Sequence, residues 1–321
     1  MLYFPFFEYW FLYVGFALFV LALVLLDMGV VSRKKQVLTS KEAWAWSAGW
    51  ISLGLLLGLV IWFYTTQKFG AAIGKELTLE YYSGFLIEKA LAVDNIFVFV
   101  LIFTSLKISP AYQKTVLGYG ILGALIFRAI FISIGALLMQ YQFMLYVFGG
   151  FLLITGIKMA FPTKEEVKLK DGIMYKFLSR VLPLTEKTEG GSFWIHENGK
   201  LFFTPLFLAL VLIELSDIVF AIDSVPAIFA ITKEPFIVFT SNMMAILGLR
   251  SLYLVLADAV ERFEYLKYGL SAILIFVGLK MVWLNQMYGG HFPISISLAV
   301  IALILAVSIG ASLYRTRPNV K

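Results

Sequence analysis

The chain has 321 residues, 61% of them hydrophobic and only 14% charged, against about 25% charged for an ordinary soluble domain. That balance excludes a soluble globular fold and predicts an all-α polytopic membrane protein. The absence of cysteine excludes disulfides, thiolate metal sites and thiol redox chemistry. The net charge of +6 rides on Lys and Arg in the loops between apolar segments, so it is no footprint of nucleic acid.

Hydropathy windows place nine spans, near 9–31, 43–64, 80–104, 115–139, 143–161, 204–231, 236–257, 265–285 and 293–314. The first segment has Glu8 and no Lys or Arg before it, the wrong flank for a cleaved signal peptide, and is read as a retained helix. The amino terminus and alternate loops carry three Lys or Arg, whereas the other loops and the carboxyl tail carry eighteen. Positive residues favour the cytoplasm, which predicts an amino terminus outside and a carboxyl terminus inside.

The stretch 162–203 is the one sizeable connection between spans. Within it, GIMYKFLSRVL at 172–182 puts Ile173, Met174, Phe177, Leu178, Val181 and Leu182 on one helical face and Lys176 and Arg180 elsewhere, which predicts a short helix lying on the inner membrane surface. Asn198-Gly199, between FWIHE and KLFF, signals a hairpin with a type I′ turn. His196 then reads as a hairpin surface residue, since a lone loop histidine has no second ligand nearby.

Two apolar segments carry carboxylates, each costing roughly 2.5 to 3.5 kcal/mol at the bilayer centre. They are LIEKALAVDN at 86–95 and VLIELSDIVFAIDSVP at 211–226. Glu88, five residues, then Asp94-Asn95 is matched by Asp217, five residues, then Asp223-Ser224. The match extends further: Arg128, Tyr146, Gly156, Lys158 and Met159 recur as Arg250, Tyr268, Gly278, Lys280 and Met281 at a constant offset of 122. Each copy holds three spans, an odd number, so the second must cross in the opposite sense as an inverted repeat. The resulting plan is two amino-terminal helices in 1–79, repeat 1 in 80–161, the cytoplasmic loop 162–203, repeat 2 in 204–285, and a last helix and tail in 286–321.

Seven ionised groups facing lipid, namely Glu88, Asp94, Glu214, Asp217, Asp223, Arg128 and Arg250, would cost roughly 17 to 25 kcal/mol, so they must face one another, a cavity or an ion. Arg128 and Arg250, with Lys89 as a third cation, are expected in structural ion pairs. Five carboxylates exceed those cations, leaving a surplus for a bound cation or protons. Glu88, Asp94, Asn95, Glu214, Asp217, Asp223 and Ser224 are the expected metal ligands, an all-oxygen set suited to Mg²⁺, Ca²⁺ or Mn²⁺. On a straight helix Asp94 would lie about 120° from Glu88, and Asp223 likewise from Asp217. Local unwinding is therefore expected at both motifs, helped in the second by Pro226. Asp27, Lys158 and Lys280, near helix ends, read as interfacial residues, and Gly54, Gly58, Gly149 and Gly150 as close helix contacts.

LIEKALAVDNIFV at 86–98, IELSDIVFAIDSVPAIFA at 213–230 and TSNMMAILGLRSLY at 240–253 closely resemble the TerC family, its Alx-like branch in particular. The likeness covers roughly residues 40 to 315, and the family's acidic positions match Glu88, Asp94, Glu214, Asp217 and Asp223. The family takes its name from tellurium resistance. The resemblance implies a bacterial inner-membrane protein of the lysine-exporter superfamily, linked to manganese export and alkaline pH. The expected function is secondary export of divalent cations, most readily Mn²⁺, by cation/proton exchange, with no tightly bound cofactor. The alternative is a non-transporting membrane factor that loads metal into secreted enzymes or assists tellurium resistance. An enzyme is not expected, because no HExxH, GxSxG or phosphate-binding glycine loop is present. Expected partners are the metal ion and the bilayer, with no nucleic acid; a homo-oligomer and a translocase contact stay open.

Overall fold

The structure is a computed structural model that describes residues 2–33, 39–161, 173–187, 191–197, 199–257, 265–289 and 292–315. Its elements in chain order are α1 (Phe6–Arg33), α2 (Ser40–Phe69), α3 (Ala71–Ser105), α4 (Pro110–Leu138), α5 (Gln142–Ala160), α6 (Ile173–Val181), β1 (Trp194–Glu197), β2 (Lys200–Phe203), α7 (Pro205–Phe229), α8 (Pro235–Ile246), α9 (Leu249–Leu256) and α10 (Leu266–Leu279). A π-helical turn (Lys280–Leu284), α11 (Asn285–Met287) and α12 (Ile294–Arg315) complete it.

Among the described residues, seven helices are long and apolar enough to cross a membrane, or eight if the bent pair α8 and α9 is one span. The 35-residue α3 is not among them, because it carries Lys75, Glu76, Glu80, Glu88, Lys89 and Asp94. Large apolar side chains cover the outside of the bundle, among them Leu18, Leu59, Ile126, Ile154 and Leu303. That exterior suits hydrocarbon rather than water, and the molecule is an all-α, multi-pass membrane protein joined by one small hairpin.

Local chemistry sets the helix limits. Thr39 and Glu42 cap α2 reciprocally, Thr39 N–H donating to Glu42 Oε2 at 3.0 Å and Glu42 N–H to Thr39 Oγ1 at 3.3 Å. Prolines open α4, α7 and α8 at the first helical position, where a missing N–H costs nothing. α2 packs along α3 because Phe85 and Tyr82 lie against Gly54 and Gly58. Tyr81 Oη also donates to Gly54 O at 2.8 Å. α5 and α10 meet as closely: Gly149 lies on Gly278, and Ser271 Oγ donates to Gly156 O at 2.6 Å. Gly150 differs from its expected role, facing open space.

The span expected at 236–257 is broken. Leu247 and Gly248 leave the helical conformation, Gly248 with φ +80°, and α8 meets α9 at a 44° bend. A side chain at Gly248 would be strained by that φ and would strike Trp50. The hairpin pairs Trp194 with Phe203 and Glu197 with Lys200, leaving a two-residue turn; Gly199 has the positive φ of +75°, and Asn198 lies outside the described residues. His196 is exposed on β1, opposite Leu201, as expected of a hairpin surface residue, and His291 lies outside the described residues. In α6, Leu178 is buried while Phe177 and Val181 are exposed.

Candidate ion site among α3, α4, α7 and α8

Glu88 and Asn95 sit seven residues apart on α3, two helical turns on one face, and Asp217 and Ser224 do the same on α7. Two contacts fix how these helices pass. Thr232 Oγ1, just beyond α7, donates to Glu80 Oε2 at 2.5 Å, and one turn inward Gly84 lies against Ile228. Residue numbers rise along α3 as they fall along α7, so the two are antiparallel. Counting inward brings Glu88 about level with Ser224 and Asn95 about level with Asp217.

Arg128 of α4 reaches between these layers. Its Nη2 donates to Asp217 Oδ1 at 2.8 Å and its Nε to Asp217 Oδ2 at 3.2 Å, a bidentate grip. Its Nη1 is paired with Glu88 Oε1 and donates to Asn242 Oδ1 at 3.2 Å. Asn242 of α8 closes the ring, its Nδ2 donating to Glu88 Oε2 at 3.3 Å. Arg128 and Glu88 are 1% exposed and Asp217 3%, so one guanidinium offsets two carboxylates out of contact with water. Glu214 follows one turn before Asp217 on α7, its carboxylate lying over Gly123 of α4, where any Cβ would overlap it.

Three oxygens around this ring have no hydrogen-bond partner among the described residues: Asn95 Oδ1, Ser224 Oγ and Glu214 Oε2. Unsatisfied buried oxygens are costly, and a hard cation or water would meet them. Asp94 and Asp223 are helical in backbone, but their side chains lie outside the described residues. Among the described residues, no three His, Asp or Glu side chains converge on a metal position.

The unwinding expected at the acidic motifs is absent: α3 runs unbroken through Asp94-Asn95 and α7 through Asp223-Ser224. Pro226 falls within the last turn of α7, where removing one donor leaves the helix intact. The break is displaced to Leu247-Gly248, and there Lys89 donates from Nζ to Leu247 O at 2.8 Å. Its ammonium sits at the carbonyl end of α8, where the helix dipole is negative.

Arg250 lies apart from the ring. Its Nη2 donates to Asp27 O and Oδ2, both at 2.6 Å, tying α9 to α1. Asp27 is therefore buried in an ion pair rather than interfacial, and Lys280 too is buried, at 3% exposure, while Lys158 is exposed. Asn242 is the member of the ring that sequence reasoning missed. The run Thr240-Ser241-Asn242 inside an apolar helix was the available signal, but Gly120 stands at the position 122 residues earlier, so no repeat pointed to it.

Two hollows flank the ring. A gap of about 10 Å³, room for one water, touches Asp217 and Arg250 between Phe99, Ile121 and Leu249. A cavity of about 940 Å³ opens where the α2–α3, α4–α5, α7–α8 and α11–α12 connections gather, with Glu80, Thr232 and Lys280 among its lining. Glu80 and Glu88 are eight residues apart on α3, about 12 Å, and the buried Ile87, Ile228 and Phe229 pack in this region.

Residues 73–320 match the profile of a family described as integral membrane protein TerC family. An uncharacterized membrane protein of Myxococcus xanthus, STKORF319, is 50% identical over 307 residues, covering 95% of this chain and 93% of its own. The Escherichia coli (strain K12) protein Alx, whose name calls it a membrane-bound redox modulator, is 44% identical over 296 residues, 92% of this chain and 91% of its own. A membrane protein of Rickettsia bellii is 41% identical over 297 residues, 92% of this chain and 95% of its own. No solved structure matches the chain. With the profile covering most of the sequence and these relatives aligned end to end, the chain belongs to the TerC family of integral membrane proteins.

Proposed function

We propose that this protein is a secondary exporter of divalent cations, most readily Mn²⁺, working by exchange with protons in a bacterial inner membrane. One observation carries the reading. The carboxylates of Glu88 and Asp217 share one guanidinium, Glu214 stands one turn from Asp217 on α7, and Asn95, Ser224 and Glu214 each hold a buried oxygen with no hydrogen-bond partner among the described residues. Surplus negative charge with idle oxygen donors suits a hard cation, and protons would replace it when the site is empty. The donor set admits Mg²⁺, Ca²⁺ and Mn²⁺ alike; the family resemblance favours Mn²⁺. Asp94 and Asp223, on the same helices, complete the proposed ligand set.

We take α3 as a ninth span and α3–α5 and α7–α10 as inverted repeats. The α5–α10 contact supports this: Gly149 meets Gly278 while Gly156 meets Ser271, and a shift of 122 residues exchanges one pair for the other. Glu88 and Asp217 likewise share Arg128 from opposite sides. Rocking about such an axis would expose the ring to each face in turn. Facing inward, the Asp27–Arg250 pair closes the small gap beside Asp217; facing outward, the packed Ile228 and Phe229 close the way to the large cavity. In this orientation the loop 162–203 and the carboxyl terminus are cytoplasmic, and α6 lies on the inner leaflet. A metal exporter alters redox balance through the metal it removes, which reconciles the name of the relative Alx with a chain that has no cysteine.

A second reading has its own observation: Arg128 binds Glu88 and Asp217 so completely that the ring could be a helix lock in a non-transporting factor. Mn²⁺ uptake into sealed vesicles containing this protein alone separates the two. The exporter fills vesicles above protein-free controls; the lock moves nothing.

A further inference from the structure

The large cavity holds chemistry that the ring does not use. At its floor Glu80 of α3 accepts from Thr232 Oγ1 through Oε2, and its other oxygen has no hydrogen bond among the described residues. Lys280 lines the same cavity, 3% exposed, with no hydrogen bond and no ion pair within 4 Å among the described residues. Holding a lysine this far from bulk water with no carboxylate in contact is expensive, and this one begins a π-helical turn, a distortion frequent at functional positions.

The other charged groups of the cavity are committed or peripheral. Glu234 accepts from the Tyr3 and Phe4 amides at 2.8 and 3.2 Å, so the amino-terminal segment occupies it. Burial pushes the Glu234 carboxyl above the usual range, and these two amides pull it back. Glu76 and Lys233 are exposed. Among the described residues the floor is therefore one carboxylate, one ammonium and one hydroxyl, Thr232 Oγ1, which accepts from the Glu234 amide at 3.1 Å and keeps one lone pair, facing a hollow whose 940 Å³ would hold about 30 waters at ~30 Å³ each.

We infer that Glu80 and Thr232 form a second divalent-cation site in this cavity and that Lys280 is its built-in counter-cation, holding the affinity low. The inference rests on the export reading, to which it adds the release step. A cation leaving the ring for the outside would next meet Glu80. A carboxylate and a hydroxyl with room for retained waters suit Mg²⁺-like or Mn²⁺-like ions, and without a competing charge they would trap the ion at the exit. The tethered ammonium repels the ion and neutralises the carboxylate, so the ion passes on.

The test is Mn²⁺ binding to the purified full-length chain, counted by the loss of the free-ion electron paramagnetic resonance signal. Lys280→Met should bind one more Mn²⁺ than wild type, or bind it at least tenfold more tightly at that position. Glu80→Gln/Lys280→Met should lose the gain, Glu214→Gln/Lys280→Met should keep it, and Lys280→Arg should behave as wild type. Lys280→Gln is the second neutral variant should methionine disturb folding. In vesicles Lys280→Met should be inhibited by Mn²⁺ on the release side at concentrations that leave wild type unaffected. Unchanged binding in both neutral variants, or a gain that survives Glu80→Gln, overturns the inference. If wild type moves no Mn²⁺ yet Lys280→Met gains a Glu80-dependent site, the site stands and the export reading falls.

Discussion

Replacing Arg128 by methionine tests the ring most severely. The substitution keeps much of the aliphatic stem and removes four interactions: two to Asp217, one to Glu88 and one to Asn242. Two carboxylates at 1% and 3% exposure are left facing each other. Removing one partner of a buried ion pair costs about 3 to 5 kcal/mol. An independent route gives a similar figure. The stranded carboxyl escapes by taking a proton, and protonating an ordinary glutamate at pH 7, with pKa about 4.3 and 1.36 kcal/mol per unit, costs about 3.7 kcal/mol. Arg128→Met should therefore lose about 4 kcal/mol at pH 7, read by titrating the micelle-bound protein with SDS and following tryptophan fluorescence. The sign with pH follows: protonation grows cheaper in acid, so the deficit should shrink by about 1.4 kcal/mol per pH unit lowered. Glu88→Gln/Arg128→Met/Asp217→Asn should recover most of the loss. A single variant within 1 kcal/mol of wild type, or a triple variant no more stable than the single, would refute the ring as a buried charge network.

Asp94→Asn and Asp223→Asn should each abolish Mn²⁺ transport while the protein still reaches the membrane, and wild-type Mn²⁺ affinity should fall as pH drops, because protons and metal compete for the same carboxylates; isothermal titration at pH 8 and pH 6 reads the latter. Gly123→Ala should displace the Glu214 carboxylate and weaken Mn²⁺ binding about tenfold, or ~1.4 kcal/mol, whereas Gly150→Ala, in open space, should change nothing. Cysteines can be placed singly because the chain has none. At the exposed Ser109 and Lys187 they should be shielded from an impermeant outside reagent, and at Met287 they should react; labelling at Lys187 would reverse the proposed orientation.

The helices were legible because an apolar run long enough to cross a bilayer has few other fates, and each expected span overlaps a helix. The acidic positions were legible because charge inside such a run is expensive. Their pairings were not. Arg128 and Asp217 are 89 residues apart, and nothing local says that one guanidinium takes both Asp217 and Glu88 while Arg250 takes Asp27 from α1, outside the repeat. The unwinding expected from the 120° offset is absent, α3 and α7 running unbroken through both motifs. In the structure the residues that share a face are seven apart, so the helices stay whole and the break moves to Gly248, whose positive φ no periodicity reveals. Lys280 was misread for a related reason: a lysine near a helix end ordinarily snorkels, and only the arrangement of the turns shows that it points into a cavity floor.

The central claim, exchange of a divalent cation for protons at the ring, is tested most directly by recording Mn²⁺ entry and internal pH together in vesicles that contain only this protein. The account predicts that an acid-inside gradient drives Mn²⁺ inward against its own gradient, that the lumen alkalinises as Mn²⁺ enters, and that Asp223→Asn abolishes both signals. Mn²⁺ entry no faster than in protein-free vesicles, or entry that leaves internal pH unmoved, would contradict it.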